Sequence, residues 1–533
     1  MSGDLLLING KFKTMNPIQP TAEAVAIRGG KIAAVGTNEE ARESAGPRVQ
    51  VIDLNGRTAT PGLNDAHAHP MMLGLSMGDI NLRAPDAFSI DDIVRLVRKR
   101  TSERPHHTWV IGHGYDQAQL AEQRQPTRWD LDEVSPNHPV LLYRTCHHIA
   151  VANSVALKLA GIDRNTPDPD AGVIDRDEHG EPLGILRETA MNLVNSKIAL
   201  PTVDELTAAI IRAGNAFLAT GVTSTVEAGI RRPEEMQAYQ NAWAAGKMPV
   251  RTYLMMMIDE MLDNLLALGI KTGYGDPWLR IGPAKLFSDG SLGGRTARMK
   301  DPYLDEPDNL GMWMDSPEHM KAKILRAHAA GFQVGIHAIG DDAVDVILQG
   351  YEEAQAAFPR DDTRHRIEHA VLVSEDVLER MSRAGVVPIP GSSFPYFVAK
   401  AYIQNVGEER LRYCNAMASF RNHGIVAAAS TDTPVVPPEA GFGLYNMVTR
   451  KDLNGDVLWG EQAISLDDAL RAYTWNGAYA SFEETIKGSL EPGKLADVAI
   501  WETDLDGIDA EELKTVAIDY TISDGTVAYE RAG

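Results

Sequence analysis

The chain has 533 residues, of which 44% are hydrophobic and 23% charged, and its formal net charge is −23. This length predicts two or more structural units, and the composition is typical of a soluble globular enzyme. Because polyanions repel so acidic a chain, nucleic acid and anionic membrane surfaces are not expected as partners. With only two cysteines, Cys146 and Cys414, and no apparent secretory signal or membrane span, we expect a cytoplasmic protein without a disulfide scaffold.

The two ends of the chain have the same β-rich texture. Within residues 1–60, "LLLING" and "KFKTM" meet at an Asn-Gly turn, and "AEAVAIRGGKIAAVG" contains a Gly-Gly turn. Within residues 486–533, "KLADVAIWE" is followed by "VAIDYTISDGTVAYE" with an Asp-Gly turn. We therefore predict one small β-sandwich built from both termini, and two unrelated β-rich appendages are the alternative.

Between these ends, residues 61–485 alternate strand-like and helix-like segments in about eight β-then-α units. That number predicts an α/β fold of the (β/α)₈ barrel type, whose active site lies at the carboxyl ends of the strands. Roughly residues 74–200 then form a large insertion after the first barrel strand. Long insertions of this kind often form lids or substrate walls.

A pair of histidines follows the first barrel strand in "PGLNDAHAHP", residues 61–70. On an extended segment His67 and His69 point to the same side, because side chains alternate with period two, so both can bind one metal ion. Other polar residues close later predicted strands, namely Glu227, Lys285, His337, His369 and Asp432. Four imidazoles and one carboxylate predict a site for zinc, or less selectively iron or manganese.

Two neighbouring divalent ions would need an additional anionic bridge. Lys285 can provide it as a carbamate if its amine is deprotonated, which burial favours, and then reacts with carbon dioxide. Glu227 is the rival bridging ligand, and Cys146 is a weaker one. Such a centre supplies a hydroxide that attacks a carbonyl carbon, with Asp432 suited to accept its proton and pass it to a leaving nitrogen.

A series of motifs runs in order over nearly the whole chain: "PGLNDAHAHP", "WVIGHGYD", "HIAVANSVAL", "GILRETA", "KLFSDGSLGGRTA", "VGIHAIGD", "HRIEHA", "STDTPV" and "GSLEPGKLADVAIWE". In these motifs the chain resembles the amidohydrolase superfamily, and within it the family 3 branch of YtcJ-like proteins and N-substituted formamide deformylases. The resemblance implies a distorted metal-binding barrel with a β-sandwich. It also implies ligand roles for His67, His69, Lys285 (carbamylated bridge), His337, His369 and Asp432 (also the base).

Two stretches depart from the pattern of this branch. The chain has "PIPGSSFPYF" where a Ser-x-Gln-Pro-like stretch is common, and Ser430-Thr431-Asp432 where Gly-Ser-Asp is common. Neither change touches a predicted metal ligand. Since the loop after the seventh strand is expected to line the pocket, the usual substrate of the branch does not transfer directly.

Further residues are candidates for substrate binding. Tyr115 and Asp116 in "GHGYDQ" and His148 in "CHHIAVANS" match positions that would face substrate in the resembling family, and bracing of the insertion is the alternative. Glu227 is placed in the same group. Arg295 in "GSLGGRTA" could bind a substrate carboxylate as a bidentate fork, or could instead cap a loop.

The predicted function is metal-dependent hydrolysis of a carbon–nitrogen bond other than a peptide bond, in an N-substituted formamide or N-acyl amine. The partner is then a small molecule, and a homodimer or higher homo-oligomer is allowed. One alternative is a deaminase or a lactone or ester hydrolase with the same metal centre, since fold does not choose the substrate. Another is a catalytically silent binding protein, which we would expect to have lost ligands that this chain keeps.

Overall fold

The computed structural model describes residues 4–84 and 86–532. Its strands fall into three blocks. The first block is β1 (Leu5–Ile8), β2 (Lys11–Lys13), β3 (Thr21–Ala22), β4 (Ala24–Arg28), β5 (Lys31–Gly36), β6 (Gln50–Asp53), β7 (Thr58–Pro61) and β8 (Leu63–Ala68). The second is β9 (Ile80–Asn81), β10 (Val110–Tyr115), β11 (Val140–Arg144), β12 (Ile149–Ala152), β13 (Gly172–Arg176) and β14 (Pro182–Glu188). The third is β15 (Val222–Ile230), β16 (Arg251–Met257), β17 (Leu279–Phe287), β18 (Val334–Ala338), β19 (Arg366–His369), β20 (Val387–Ile389), β21 (Val498–Trp501), β22 (Ile518–Ser523) and β23 (Thr526–Glu530).

Helices connect most of these strands. They are α1 (Asn38–Ser44), α2 (Pro70–Ser76), α3 (Ile90–Glu103), α4 (Arg128–Asp132), α5 (Ser154–Ala160), α6 (Met191–Asn195), α7 (Val203–Ala219), α8 (Pro233–Ala244), α9 (Ile258–Ala267), α10 (Pro317–Ala329), α11 (Asp341–Ala357), α12 (Glu375–Ala384), α13 (Phe394–Val406), α14 (Met417–Asn422), α15 (Ala440–Thr449), α16 (Leu466–Ala472) and α17 (Trp475–Ala480). Three short 3₁₀ turns lie at Glu409–Leu411, Gly460–Gln462 and Ala510–Lys514. Within the described residues, no helix combines the length and the apolar character needed to cross a lipid bilayer.

The central sheet is a parallel barrel in the order β8-β15-β16-β17-β18-β19-β20. Residues 425–432 fill the gap between its two ends without forming a regular strand. On one side the Asp432 N–H donates to the His67 carbonyl (2.7 Å), and on the other the Ser392 N–H donates to the Ser430 carbonyl (2.9 Å). The predicted (β/α)₈ barrel is therefore confirmed, and its distortion lies in this irregular eighth segment.

The barrel strands are apolar because both of their faces are covered. Every residue of β16, "RTYLMMM", is buried. Alternation along this strand places Met255 in an apolar cluster with Val226 and Tyr253, and places Met256 in the larger core that the surrounding helices share. A run of three methionines thus packs on both faces of one strand.

The two ends of the chain form two further sheets. One has the order β5-β4-β1-β6, and the other, β23-β22-β21-β7-β2-β3, combines strands from both termini. Leu7, Phe12, Val498 and Ile522 are buried in the apolar core that these sheets share. The predicted sandwich of both termini is confirmed, whereas the exact domain limits at residues 60 and 485 stay a prediction.

The insertion after β8 has a sheet of its own, in the order β13-β14-β12-β11-β10-β9. It is tied to the loop after the eighth barrel segment, because the Thr145 hydroxyl donates to the Val435 carbonyl (2.8 Å) and the Arg83 guanidinium donates to the Pro434 carbonyl. Both acceptors lie within three residues of Asp432. The insertion therefore contacts the chain at the carboxyl end of the barrel, where an active site is expected.

Candidate metal centre

The end of β8 brings His67 and His69 together with Asp432. Asp432 Oδ1 lies 3.5 Å from His67 Nε2 and 3.2 Å from His69 Nε2. One potential ligand atom from each of the three residues lies within 4.8 Å of those of the other two. Residues 363 positions apart in sequence thus meet at a spacing that one metal ion can fill.

His337 and His369 end the neighbouring strands β18 and β19. Their ring centroids are 4.7 Å apart, and the His369 ring is 4.8 Å from the His67 ring. His369 Nε2 also lies 4.0 Å from Asp432 Oδ2. The parallel pairing of β18 with β19 places Glu368 opposite His337 and Ala338 opposite His369, so the two histidines are offset by one residue along the sheet. The structure thus brings all four predicted histidines and Asp432 together.

Lys285 lies within β17 and is fully buried. Its Nζ is 4.8 Å from the centre of the Phe287 ring and has no hydrogen-bond partner among the described residues. Burial lowers the pKa of Lys285 to about 8. With this pKa roughly a tenth of the amine is neutral at pH 7, and carbamate formation proceeds from that neutral fraction.

The protonation of three of the four histidines suits metal binding. Burial, with the nearby positive charge of Lys285 as one further cause, lowers the pKa of His67, His337 and His369 well below the usual value. These imidazoles are therefore neutral and keep a lone pair for a metal. For His69, burial lowers the pKa, but the neighbouring Asp432 and Glu227 carboxylates outweigh burial and raise the pKa to about 9.

The donor set fits a divalent metal. Asp432 Oδ1 and His369 Nδ1 are buried and, like Lys285 Nζ, lack a hydrogen-bond partner among the described residues. A buried polar atom without a partner costs free energy. Several such atoms in one site therefore indicate that the site binds a ligand. Imidazole nitrogens and a carboxylate oxygen are donors that zinc prefers, with iron and manganese less selective alternatives.

Glu368 holds His67 in position, a role that the sequence did not suggest. Its Oε2 lies 2.5 Å from His67 Nδ1, and its two oxygens accept from Arg366 Nε (2.8 Å) and Nη2 (2.9 Å). All three side chains are almost completely inaccessible. A carboxylate at Nδ1 places the ring proton there and leaves Nε2 free to bind a metal.

Glu227 acts on His69 in a similar way. Its Oε2 accepts hydrogen bonds from the Met71 N–H (3.0 Å) and the Tyr239 hydroxyl (2.8 Å), and its Oε1 lies 3.7 Å from His69 Nδ1. Glu227 also lines the cavity above the centre. With one oxygen occupied by protein donors, Glu227 is less available than Lys285 to bridge two metals.

A cavity of about 680 Å³ opens over the centre. His67, His69, His337, His369 and Asp432 form its floor, and its walls carry apolar side chains, including those of Met71, Met72, Leu75, Leu206, Phe287 and Met314. This volume and lining suit a small organic molecule.

His148 lines the same cavity from the insertion. Its Nδ1 lies 2.7 Å from Glu188 Oε2, and its ring centre is 5.6 Å from that of His337. Burial lowers the pKa of His148, but the Glu188 carboxylate outweighs burial and raises it to about 9. The insertion thus places a cation beside the candidate metal ligands, and Glu188 is a partner that the sequence analysis missed.

Tyr115, Asp116 and Arg295 are not among the described residues that line this cavity. Tyr115 is buried in the apolar core of the insertion, and Asp116 Oδ1 accepts from Arg144 Nη2 at 2.9 Å. Arg295 donates to Asn405 Oδ1 (2.8 Å) and pairs with Glu306. Their contacts fit the bracing and loop-capping alternatives.

Asp289 is a third buried carboxylate, after Glu368 and Glu188, that the sequence did not reveal. It accepts backbone hydrogen bonds from Arg298 (2.9 Å), Ile339 (3.1 Å) and Gly340 (2.9 Å), and its Oδ1 lies 3.6 Å from His337 Nε2. Burial raises its pKa to about 7, against these hydrogen bonds. Asp289 therefore links the loop after β17 to the turn after β18. Its place two residues beyond the end of β17 is the sequence signal that could have found it.

Comparison with known proteins agrees with this architecture. Residues 50–529 match the model of the amidohydrolase family. The chain is 30% identical to the N-substituted formamide deformylase of Arthrobacter pascens over 99% of both chains, and 32% identical to YtcJ of Bacillus subtilis (strain 168) over 98% of this chain and 99% of that one. An uncharacterized metal-dependent hydrolase from Pyrococcus horikoshii OT3 superimposes with a TM-score of 0.77 at 30% identity, covering 96% of this chain and 99% of the other. With nearly its whole length matched, the chain belongs to the amidohydrolase family and is a metal-dependent hydrolase.

Proposed function

We propose that this protein hydrolyses the carbon–nitrogen bond of a small N-acyl or N-formyl amine rather than a peptide bond. The observation that carries the proposal is the Asp432 carboxylate, which lies within 3.5 Å of His67 and His69 and also borders the cavity. A base in that position can serve both the attacking water and the leaving nitrogen. The similarity to an N-substituted formamide deformylase supports this choice of bond.

In this proposal two divalent ions, zinc first and iron or manganese as alternatives, bind at the centre. His67, His69 and Asp432 would hold one ion and His337 and His369 the other, and Lys285, as its carbamate, would be the further anionic ligand. The free Nζ of Lys285 supports this assignment over Glu227, whose Oε2 already accepts two hydrogen bonds. When bound, such ions polarise a carbonyl group and lower the pKa of water.

The chain's own groups then move the proton and orient the substrate. Asp432 accepts a proton from the attacking water and delivers it to the nitrogen as the carbon–nitrogen bond breaks, so the products are an acid and an amine. His148, kept cationic by Glu188, donates a hydrogen bond to the carbonyl oxygen while negative charge develops there. The apolar walls exclude competing water around the reacting bond.

The partner that we propose is a small molecule. The formal net charge of −23 disfavours nucleic acid and anionic membranes. The cavity volume of about 680 Å³ suits a small organic substrate.

The test compares the metal-loaded parent with Asp432→Asn on a panel of N-formyl and N-acyl amines, with amine and acid release both measured. We expect the parent to release amine and acid in equal amounts, and the variant to lose activity by about 10²–10⁴-fold while its metal content is measured separately. Asp308→Asn, an exposed change of the same kind, should behave like the parent. Equal rates for Asp432→Asn and the parent would refute the proposed base. A parent that cleaves none of these amides but releases ammonia from an amino-substituted heterocycle, or acid from an ester or lactone, would favour a deaminase or an ester hydrolase.

A further inference from the structure

Arg231 stands at the wall of the cavity, immediately after β15. Its backbone N–H donates to Glu235 Oε2 at 2.7 Å, which fixes the chain at the start of α8. Its side chain is about half exposed, and the residue lines the cavity of the candidate metal centre. The guanidinium is therefore attached to a rigid point while its donors remain open to a ligand.

The Phe287 ring relates Arg231 to the reacting centre. The Arg231 guanidinium carbon lies 5.5 Å from the centre of that ring. The same ring centre is 4.8 Å from Lys285 Nζ and 5.1 Å from the His337 ring. A group bound by Arg231 would thus lie about one aromatic ring away from the candidate metal ligands, a distance of several bonds in a substrate.

Two other cationic residues on the cavity wall, Arg232 and His148, already have a counter-charge. Arg232 Nε pairs with Glu235 Oε1 at 3.0 Å, and the same glutamate accepts the backbone N–H of Arg231. On the opposite wall His148 pairs with Glu188 at 2.7 Å. Each of these carboxylates is therefore committed to a partner within the protein.

Arg231 differs from these residues. Its nearest carboxylate among the described residues is that of Glu260, at 4.0 Å, the outer limit of an ion pair, and both side chains are largely exposed (50% and 40%). Exposed pairs at that distance contribute little, and a ligand carboxylate can replace such a partner at small cost. Of the two arginines on the described part of the wall, Arg231 is the one without a close counter-charge.

We propose that Arg231 binds a carboxylate carried by the amine portion of the substrate, so that the substrate is an N-acylated amino acid or a longer amino carboxylic acid. This inference rests on the proposed function. A guanidinium offers two parallel N–H donors that match a carboxylate. The apolar walls near Met71, Leu75 and Leu206 would contact the carbon skeleton between the carboxylate and the nitrogen. Carboxylate binding, which the sequence suggested for Arg295, is thus assigned in this proposal to Arg231, which lines the cavity.

The experiment uses matched substrate pairs that differ in the carboxylate. N-acetylphenylalanine, in both enantiomers, is compared with N-acetyl-2-phenylethylamine, and N-acetyl-6-aminohexanoate with N-acetylhexylamine. We expect the metal-loaded parent to prefer the acids, and Arg231→Gln to raise KM for the preferred acid by about 10- to 100-fold, with kcat and the neutral substrates unchanged. Arg231→Lys should keep part of the preference, because a lysine retains the charge but not the fork.

Lys247→Gln serves as the matched control, since it removes one positive charge from an exposed position just beyond the other end of α8. It should leave both substrates of each pair unaffected. A parent without preference for the acids, or an Arg231→Gln variant that loses acid and neutral substrates equally, would overturn the inference while leaving the hydrolase proposal intact.

A binding measurement separates this inference from the proposed function. Calorimetric titration of metal-loaded Asp432→Asn with the four acetylated probes needs no turnover. Tighter binding of an acid than of its neutral partner, lost on adding Arg231→Gln, supports the carboxylate site even if the parent hydrolyses none of the probes. Equal binding of acid and neutral probes, or binding that Arg231→Gln leaves unchanged, refutes it.

Discussion

Replacing Glu368 with glutamine should weaken both metal binding and the fold, by separate routes. Glutamine keeps the shape but offers one acceptor and one donor where Glu368 presents two acceptors to His67 and Arg366. The new amide N–H must then face a donor of one of these partners. Without its acceptor, the His67 ring loses its fixed tautomer and orientation, and the loss of such an outer partner typically weakens metal affinity by about 10- to 100-fold. Arg366, fully buried, is left without its counter-charge at a cost of about 3–5 kcal/mol.

Two measurements distinguish these routes. Urea unfolding of the metal-free protein reports the buried charge, and competition for zinc against a chromophoric chelator reports the metal affinity. Adding Arg366→Met to Glu368→Gln removes the unpaired cation, so stability should recover in part while zinc affinity stays low. Glu379→Gln, an exposed control on α12, should match the parent in both assays. If Glu368→Gln binds zinc as tightly as the parent, the argument that this carboxylate orients His67 is wrong.

Two further predictions concern the bridge and a surface-proximal ion pair. If Lys285 bridges two ions as proposed, Lys285→Ala should reduce the metal content, measured by elemental analysis of dialysed parent and variant, from two ions per chain towards one. A variant that keeps the parent's metal content would exclude Lys285 as the bridge. Although burial raises the pKa of Asp345, hydrogen bonds from Lys300 and Arg380 outweigh it and lower the pKa to about 2. Its stabilising contribution is therefore complete above its unfolded pKa of about 3.9 and is lost as the pH falls through about 2. Asp345→Asn should lower the melting temperature at pH 7, and the gap to the parent should narrow in melts below about pH 4; a constant gap would contradict this.

The barrel and the convergence of the candidate ligands were accessible from sequence because they depend on strand periodicity. His67 and His69 are two residues apart, so both point to one side of an extended segment. The other candidates close later strands, and parallel barrel strands all end at the same face, so their convergence could be predicted. The loops were not accessible in this way. Arg295 has a positive φ of 58°, and its side chain contacts Asn405 and Glu306. No sequence pattern predicts the direction of a side chain in such a turn.

Glu368 was missed for a different physical reason. Strand alternation places neighbours on opposite faces, so choosing His369 as an inward ligand assigns Glu368 outward. The structure departs from this alternation because the backbone is not extended here: φ is 69° at His369 and 41° at Ala370. This left-handed turn at the end of β19 lets both side chains reach the centre. Strained backbone at a candidate ligand is typical of functional sites, and its cost is borne by the surrounding hydrogen bonds.

The position of Asp432 follows from the same reasoning. Its φ of 58° interrupts the eighth segment, and backbone groups compensate: its N–H donates to the His67 carbonyl (2.7 Å), and the Thr431 N–H donates to Asp65 Oδ1 (3.0 Å). The proposed base is therefore joined to the segment that carries the first pair of histidines by two backbone N–H donors, one bonded to the His67 carbonyl and one to the Asp65 side chain, independently of the Asp432 carboxylate. Because the carboxylate contributes nothing to this attachment, exchanging it for an amide alters the chemistry at one oxygen while the backbone that positions it stays in place.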